Sequence, residues 1–134
     1  MAGCITWKDF YSVGEPSLDS EHRQILGILN ELLEAVEQDS DQQILKSALD
    51  RLVQYTLVHF KHEEEVMQGL DYPEFQRHKA QHDRLRKRTI DLREHITLVT
   101  GHDMLFFLKE WWLSHIQGED KKYAPYLELS PVQR

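Results

Sequence analysis

The sequence predicts an all-α protein, an antiparallel up-down four-helix bundle, and three observations carry that expectation. Clusters of helix-breaking residues divide the 134-residue chain into four long segments. Within each segment apolar residues recur at spacings of three and four, which places them on one face of a helix. No run alternates apolar and polar residues at the period of two that a half-buried strand requires. Four amphipathic helices joined by short connections favour antiparallel neighbours around one core.

A leading arm spans residues 1–16 and ends in the breaker Gly14-Glu15-Pro16-Ser17. The first helix is expected over about 18–38, with Leu18, His22, Ile25, Leu29, Leu32 and Val36 on its inner stripe. Asp39-Ser40-Asp41 interrupts it. The second helix is expected over about 41–68, with the stripe Leu45, Leu49, Leu52, Thr56, His59, Glu63 and Val66. Gly69-Leu70-Asp71-Tyr72-Pro73 breaks the chain again. Pro73 suits the first turn of a third helix over about 73–98, because its missing N–H has no intrahelical partner there. That helix carries Phe75, His78, His82, Leu85, Thr89, Leu92 and Ile96. Thr100 and Asp103 have the spacing of a capping box, with Asp replacing the usual Glu or Gln. They open a fourth helix over about 103–117, striped by Leu105, Leu108, Trp112, His115 and Ile116. Gly118 is the expected stop, and residues 119–134 form a C-terminal segment. The whole is read as a single domain over residues 1–134.

Composition narrows the function classes. The hydrophobic share of 40% and charged share of 29% are those of an ordinary globular protein. A net charge of -7 argues against nucleic acid or an anionic membrane surface as a partner. The single cysteine, Cys4, cannot form an internal disulfide, which favours a reducing compartment. The opening Met-Ala-Gly-Cys-Ile-Thr-Trp lacks the basic start and apolar run of a secretion signal. No stretch approaches the roughly 20 apolar residues that span a bilayer. The expected location is therefore cytoplasmic.

The chemistry lies in polar residues on apolar stripes. The chain has eight histidines, and His22, His59, His78, His82 and His115 fall where Leu, Ile and Val otherwise stand. Glu63 does the same. Burying such groups without partners costs several kcal/mol, on the order of 2–7 each. One histidine on an apolar face is usually a hydrogen-bonded core residue, and His22 alone would be read so. His59 and Glu63, however, are four residues apart, as are His78 and His82, so each pair shares a helix face one turn apart. His115 and Asp120 are five apart and would diverge by roughly 140° on an ideal helix. A helix that stops near Gly118 would let Asp120 turn back toward the site. Together these residues point to a metal. His62, His95 and His102 lie off the stripes and are assigned no ligand role. Glu64 and Glu65 are expected to be solvated.

On these residues the chain resembles the bacterial hemerythrins. The matching segments are "LDSEHRQIL" with His22, "HFKHEEEVM" with His59 and Glu63, "HKAQH" with His78 and His82, and "HIQGEDKKYAPYL" with His115 and Asp120. The lead-in "SVGEPSLDSEH" fits as well, and the resemblance runs from Trp7 to Leu127. The ordered series H…HxxxE…HxxxH…HxxxxD is far more specific than any one pair. The resemblance implies two iron ions, ferrous or ferric, in the bundle core. His78, His82 and His115 would bind one, and His22 and His59 the other. Glu63 and Asp120 would bridge them together with an oxo or hydroxo group. It further implies reversible O2 binding without catalysis, for carriage, storage or delivery. O2 is then the implied partner, with an O2-consuming protein as a recipient. A di-iron oxidoreductase, a nitric-oxide- or O2-responsive protein and an iron store are the alternatives. The histidine-rich donor set lacks the ferritin-like Glu-x-x-His pairs and has no evident extra acid or base, which favours the carrier. Phe60, Trp111, Trp112 and Ile116 are expected to wall an apolar O2 pocket. Trp112 departs from the family, which usually has Leu there. It either fills core volume or narrows the pocket.

Overall fold

The computed structural model describes residues 5–39 and 41–129; Cys4 and the last five residues lie outside them. Among the described residues there is no strand, and four long helical elements form the bundle. α1 runs Pro16–Glu37. Pro16 opens it, and the Glu15 side chain accepts a hydrogen bond from the Leu18 N–H. α2 runs Gln42–Gly69 and is capped by the Asp41 carboxylate, which accepts from Gln43 and Ile44 N–H. α3 runs Phe75–Glu94. Pro73 lies two residues ahead of it, in the turn rather than the first helical turn, and the helix ends at Glu94 before a short 3-10 turn, Ile96–Leu98. α4 runs Gly101–Lys109 and opens on the full capping box of Thr100 and Asp103.

The fourth helix does not stop at Gly118. From α4 the chain continues as a π-helix over Glu110–Glu119, then as a 3-10 turn over Asp120–Tyr123 and a short α5, Ala124–Leu129. Gly118 sits inside this wide helix, where an added Cβ would lie 3.2 Å from the Leu113 carbonyl oxygen. Gly118 lies within the helix and does not terminate it. The inner stripe of α4 is Met104, Phe107 and Leu108, while Leu105 faces outward at 39% exposure.

Neighbouring helices run antiparallel. Arg51 in the first half of α2 pairs with Glu31 in the second half of α1. Arg93 at the end of α3 pairs with Asp50 on α2. α1 packs on α2 and α4, and α2 on α3. Two apolar clusters fill the interior. The larger includes Leu29, Leu32, Leu49, Leu52, Phe60, Phe107 and Trp111. The smaller, with Val13, Leu18, Met67, Tyr72, Tyr123 and Leu127, closes the end where α1 begins and α2 finishes. The polar groups of the core lie on segments shared by these two clusters. No helix among the described residues is long and apolar enough to cross a membrane.

Candidate metal centre

Seven buried side chains from all four helical elements converge near one end of the bundle. The start of α1 supplies His22, the end of α2 supplies His59 and Glu63, and the start of α3 supplies His78 and His82. The π-helix supplies His115, and the residue closing it is Asp120. His22, Glu63 and Asp120 are wholly buried, and the other four are at most 4% exposed. Their donor atoms form two groups that can each hold a cation. Glu63, His78, His82, His115 and Asp120 make one, and His22, His59, Glu63 and Asp120 make the other.

Both groups contain the same two carboxylates, and each carboxylate divides its oxygens between them. Glu63 Oε2 faces His22 Nε2 at 3.1 Å and His59 Nε2 at 3.6 Å. Its Oε1 faces His82 Nε2 at 2.9 Å and His78 Nε2 at 3.4 Å. Asp120 Oδ2 is 3.1 Å from His22 Nε2. Asp120 Oδ1 is 2.8 Å from His78 Nε2 and 3.3 Å from His115 Nε2. Several of these inward atoms have no good hydrogen-bond partner, including Nε2 of His59, His78, His82 and His115, Glu63 Oε1 and both Asp120 oxygens. Buried polar atoms are almost always satisfied. So many orphans aimed at one point are the mark of a metal-binding donor set, and imidazole with carboxylate suits iron better than the thiolate-preferring metals.

The π-helix accounts for the five-residue spacing of His115 and Asp120. Its hydrogen bonds run from residue i+5 back to i, and the Asp120 N–H donates to the His115 carbonyl. Five residues therefore make one turn, and both side chains face the core without a helix end.

Outer partners orient the imidazoles. His59 Nδ1 donates to Glu21 at 2.7 Å, and His62 Nδ1 reaches the other oxygen of Glu21 at 2.8 Å. His82 Nδ1 donates to Glu64 at 2.8 Å. The bonds on His59 and His82 each leave a bare Nε2 facing inward. Glu64 is thus half-buried and engaged, in contrast to the solvated position expected from sequence, whereas Glu65 is exposed. Tyr123 O–H donates to Glu63 Oε2 at 2.7 Å. Glu21, Glu64 and Tyr123 were invisible to stripe counting because they act through a helix neighbour or a distant turn. His95 bonds to the Asp91 carbonyl at the end of α3, and His102 is exposed.

Electrostatics of the metal-free protein follow from these contacts. Burial disfavours charged His22 and His78, but hydrogen bonds to Asp120 and Glu63 outweigh it and raise both to about 10. His115 is pushed down to about 4 by burial, only partly offset by Asp120. Burial would raise Asp120, and Glu63 adds to that, but His115, His22 and His78 bring it down to about 2. Burial and the adjacent Glu63 hold Tyr123 well above the usual phenol range, so it remains a donor.

The apolar wall is asymmetric. Phe60 stacks on His82 with centroids 3.9 Å apart and lies 5.5 Å from Trp111. Trp111 meets His115 edge-on at 5.9 Å. Ile116 is wholly buried in the same apolar cluster. Trp112 turns its ring to Tyr11, at 5.0 Å, and shares a groove with Ile5, Leu29 and Leu33. Trp111, rather than Trp112, is the tryptophan that meets a donor histidine.

The chain is similar to known proteins over most of its length. The chain is 34% identical over 125 residues to the bacteriohemerythrin of Stenotrophomonas maltophilia (strain R551-3), covering 90% of this chain and 79% of that one. It is 34% identical over 112 residues to the bacteriohemerythrin of Methylococcus capsulatus (strain ATCC 33009 / NCIMB 11132 / Bath), covering 81% and 85%. The crystal structure of wild-type hemerythrin superposes with a TM-score of 0.78 at 30% identity, over 92% of this chain and 97% of that one. A point mutant of hemerythrin reaches a TM-score of 0.80 at 30% identity, over 95% and 98%. The model of the hemerythrin HHE cation binding domain matches residues 14–127, which takes in all seven donors, and the chain belongs to that family.

Proposed function

We propose that this protein binds O2 reversibly at a pair of iron ions, as a non-catalytic carrier or store. The observation that carries this reading is the division of Glu63 and Asp120 between two donor groups. Two carboxylates shared in this way call for two neighbouring cations rather than one. A ferrous pair, when bound there, would supply the electrons that reversible O2 binding needs. His78, His82 and His115 would hold one ion, and His22 and His59 the other, with Glu63 and Asp120 available to both. The second group has one imidazole fewer, which leaves room for O2 on that side.

The remaining residues set conditions around the pair. Glu21 and Glu64 fix the tautomer and orientation of His59 and His82. Tyr123 withdraws charge from the Glu63 oxygen on the two-histidine side. Phe60, Trp111 and Ile116 form the apolar wall of the site, and among the described residues the acids and bases beside the donors, Glu21, His62, Glu64 and Tyr123, are each already hydrogen-bonded. Neutral imidazoles contribute no negative charge, so the high oxidation states that O–O cleavage requires are poorly supported. This donor set favours release of O2 over its reduction. The cytoplasm is the location in which such a protein would meet an O2-consuming recipient.

Iron analysis and optical spectroscopy test the reading together. Protein loaded with ferrous iron under nitrogen should hold two ions per chain. It should develop a visible charge-transfer band in air, lose it on deoxygenation and regain it over repeated cycles. Steady consumption of O2 with release of a reduced product would show an oxidase or peroxidase instead.

A further inference from the structure

The donor set has an oxidisable ring on each side, and the two differ in what lies behind them. Trp111 meets His115, which belongs to the three-histidine group. Its ring also packs on Phe60, which has no O–H or N–H to lose. Its own Nε1–H has no hydrogen-bond partner among the described residues. Tyr123 serves the other group. Its ring lies 5.9 Å from His78, but its O–H donates to Glu63 Oε2 at 2.7 Å. That oxygen faces His22 and His59, the group in which the missing imidazole leaves room for O2.

Two more phenols stand behind Tyr123. Tyr72, in the turn between α2 and α3, meets it edge-on with ring centroids 6.3 Å apart. Tyr126, on α5, meets Tyr72 edge-on at 5.1 Å. Exposure rises along the series, from 0% at Tyr123 through 6% at Tyr72 to 37% at Tyr126. Phenylalanine at 72 or 126 would give the same edge-to-face packing. The phenol adds an O–H that can give up one electron and one proton. Electron transfer falls off exponentially with distance, so two short steps between touching rings carry an oxidising equivalent farther than one long step.

We propose that Tyr123, Tyr72 and Tyr126 form a route that carries a single oxidising equivalent from the metal pair to the surface, where a small thiol quenches it. The route rests on the function inferred above. A pair with one ferrous ion left has one electron for hydrogen peroxide, whose O–O bond then breaks to give hydroxide and a hydroxyl radical. The radical takes the hydrogen atom of the Tyr123 O–H and becomes water. Tyr123 is left a phenoxyl radical, short of one electron and one proton. Tyr72 restores both and becomes the radical, and Tyr126 restores Tyr72 in the same way. At the surface a thiol S–H gives its hydrogen atom to Tyr126, and two thiyl radicals join as a disulfide. Two such events consume two peroxides, two ferrous ions and two thiols, and yield two ferric ions, two hydroxides, two waters and one disulfide.

The test follows the oxidising equivalent by peptide mass spectrometry. Ferrous-loaded protein is first taken through the deoxygenation cycle; a missing band in the wild type would refute the functional reading, and this route with it. One equivalent of ferricyanide under nitrogen then leaves one ferrous ion per pair. Hydrogen peroxide is added with a nitroso spin trap, and with excess mannitol to remove radicals from bulk water. The trap should be found on Tyr126 and not on Tyr55, a half-buried tyrosine of α2 outside the series. Tyr72→Phe, with iron content and band unchanged, should lower the Tyr126 adduct to background. Tyr126→Phe, at an exposed position, should make the phenoxyl signal in electron paramagnetic resonance persist in thiol that quenches it in the wild type. A normal band with no adduct on Tyr126 would overturn the proposal alone. So would equal labelling of Tyr126 in wild type and Tyr72→Phe, equal labelling of Tyr55 and Tyr126, or equal quenching by thiol in wild type and Tyr126→Phe.

Discussion

Glu21 holds two imidazoles at once, and its own charge depends on them. Burial would raise its pKa, but hydrogen bonds from His59 and His62 bring it below the ordinary carboxylate value. It is anionic at neutral pH and fixes His59 with Nδ1 protonated. Glu21→Gln keeps the shape but weakens that bond and lets the ring sample the wrong tautomer. Iron affinity, measured by competition with a chelator, should fall about 10- to 100-fold. The His62→Gln variant should fall much less, because His62 is a half-exposed second donor to the same carboxylate. At Glu63, Tyr123→Phe removes a buried donor and leaves one acceptor oxygen short. The expected cost is about 1–3 kcal/mol of stability, read by denaturant titration of the loaded protein.

The last helix decides whether Asp120 belongs to the site. In the π-helix a turn spans five residues, so deleting Gln117 would leave His115 and the aspartate four apart. The segment should then relax to ordinary α geometry, and at least one iron per chain should be lost, as metal analysis would show; two retained ions would contradict this role of the wide turn. The same segment shows what the sequence disclosed and what it withheld. His59 with Glu63 and His78 with His82 stood out because their spacing matches an α-helical turn. Asp120 was found as a residue, yet the expected mechanism, termination at Gly118, differs from the continuous helix observed. A period of 3.6 also could not decide between Trp111 and Trp112, which lie four and three residues before His115. The wider turn settles it by bringing Trp111 to the histidine and Trp112 to Tyr11. Glu21 precedes His22 by one residue, and its reach to His59 appears only once α1 and α2 are paired.

At the scale of the whole molecule, metal binding and folding are one equilibrium. The donors tie together all four helical elements, so chelation should lower Tm by about 10 °C or more. The metal-free protein should also have a sharp pH preference. His22 and His78 are raised to about 10, so their contribution is complete below about 6.5 and is lost as pH rises through about 10. His115 is lowered to about 4, so its contribution is complete above about 6.5 and is lost as pH falls through about 4. These opposing terms place the optimum of the metal-free fold near pH 6.5, which thermal melts in chelator across pH would locate. Loading iron below pH 10 must displace the protons on His22 and His78, and a weakly buffered solution should acidify as metal is added.

The donors run from His22 to Asp120, and no shorter stretch of chain contains both groups. A chain cut before Asp120 retains every histidine of the set and most of the core, yet lacks a carboxylate common to both donor groups. Iron content is therefore a report on chain completeness: a nicked or prematurely ended product is distinguished from the finished one by what it fails to retain.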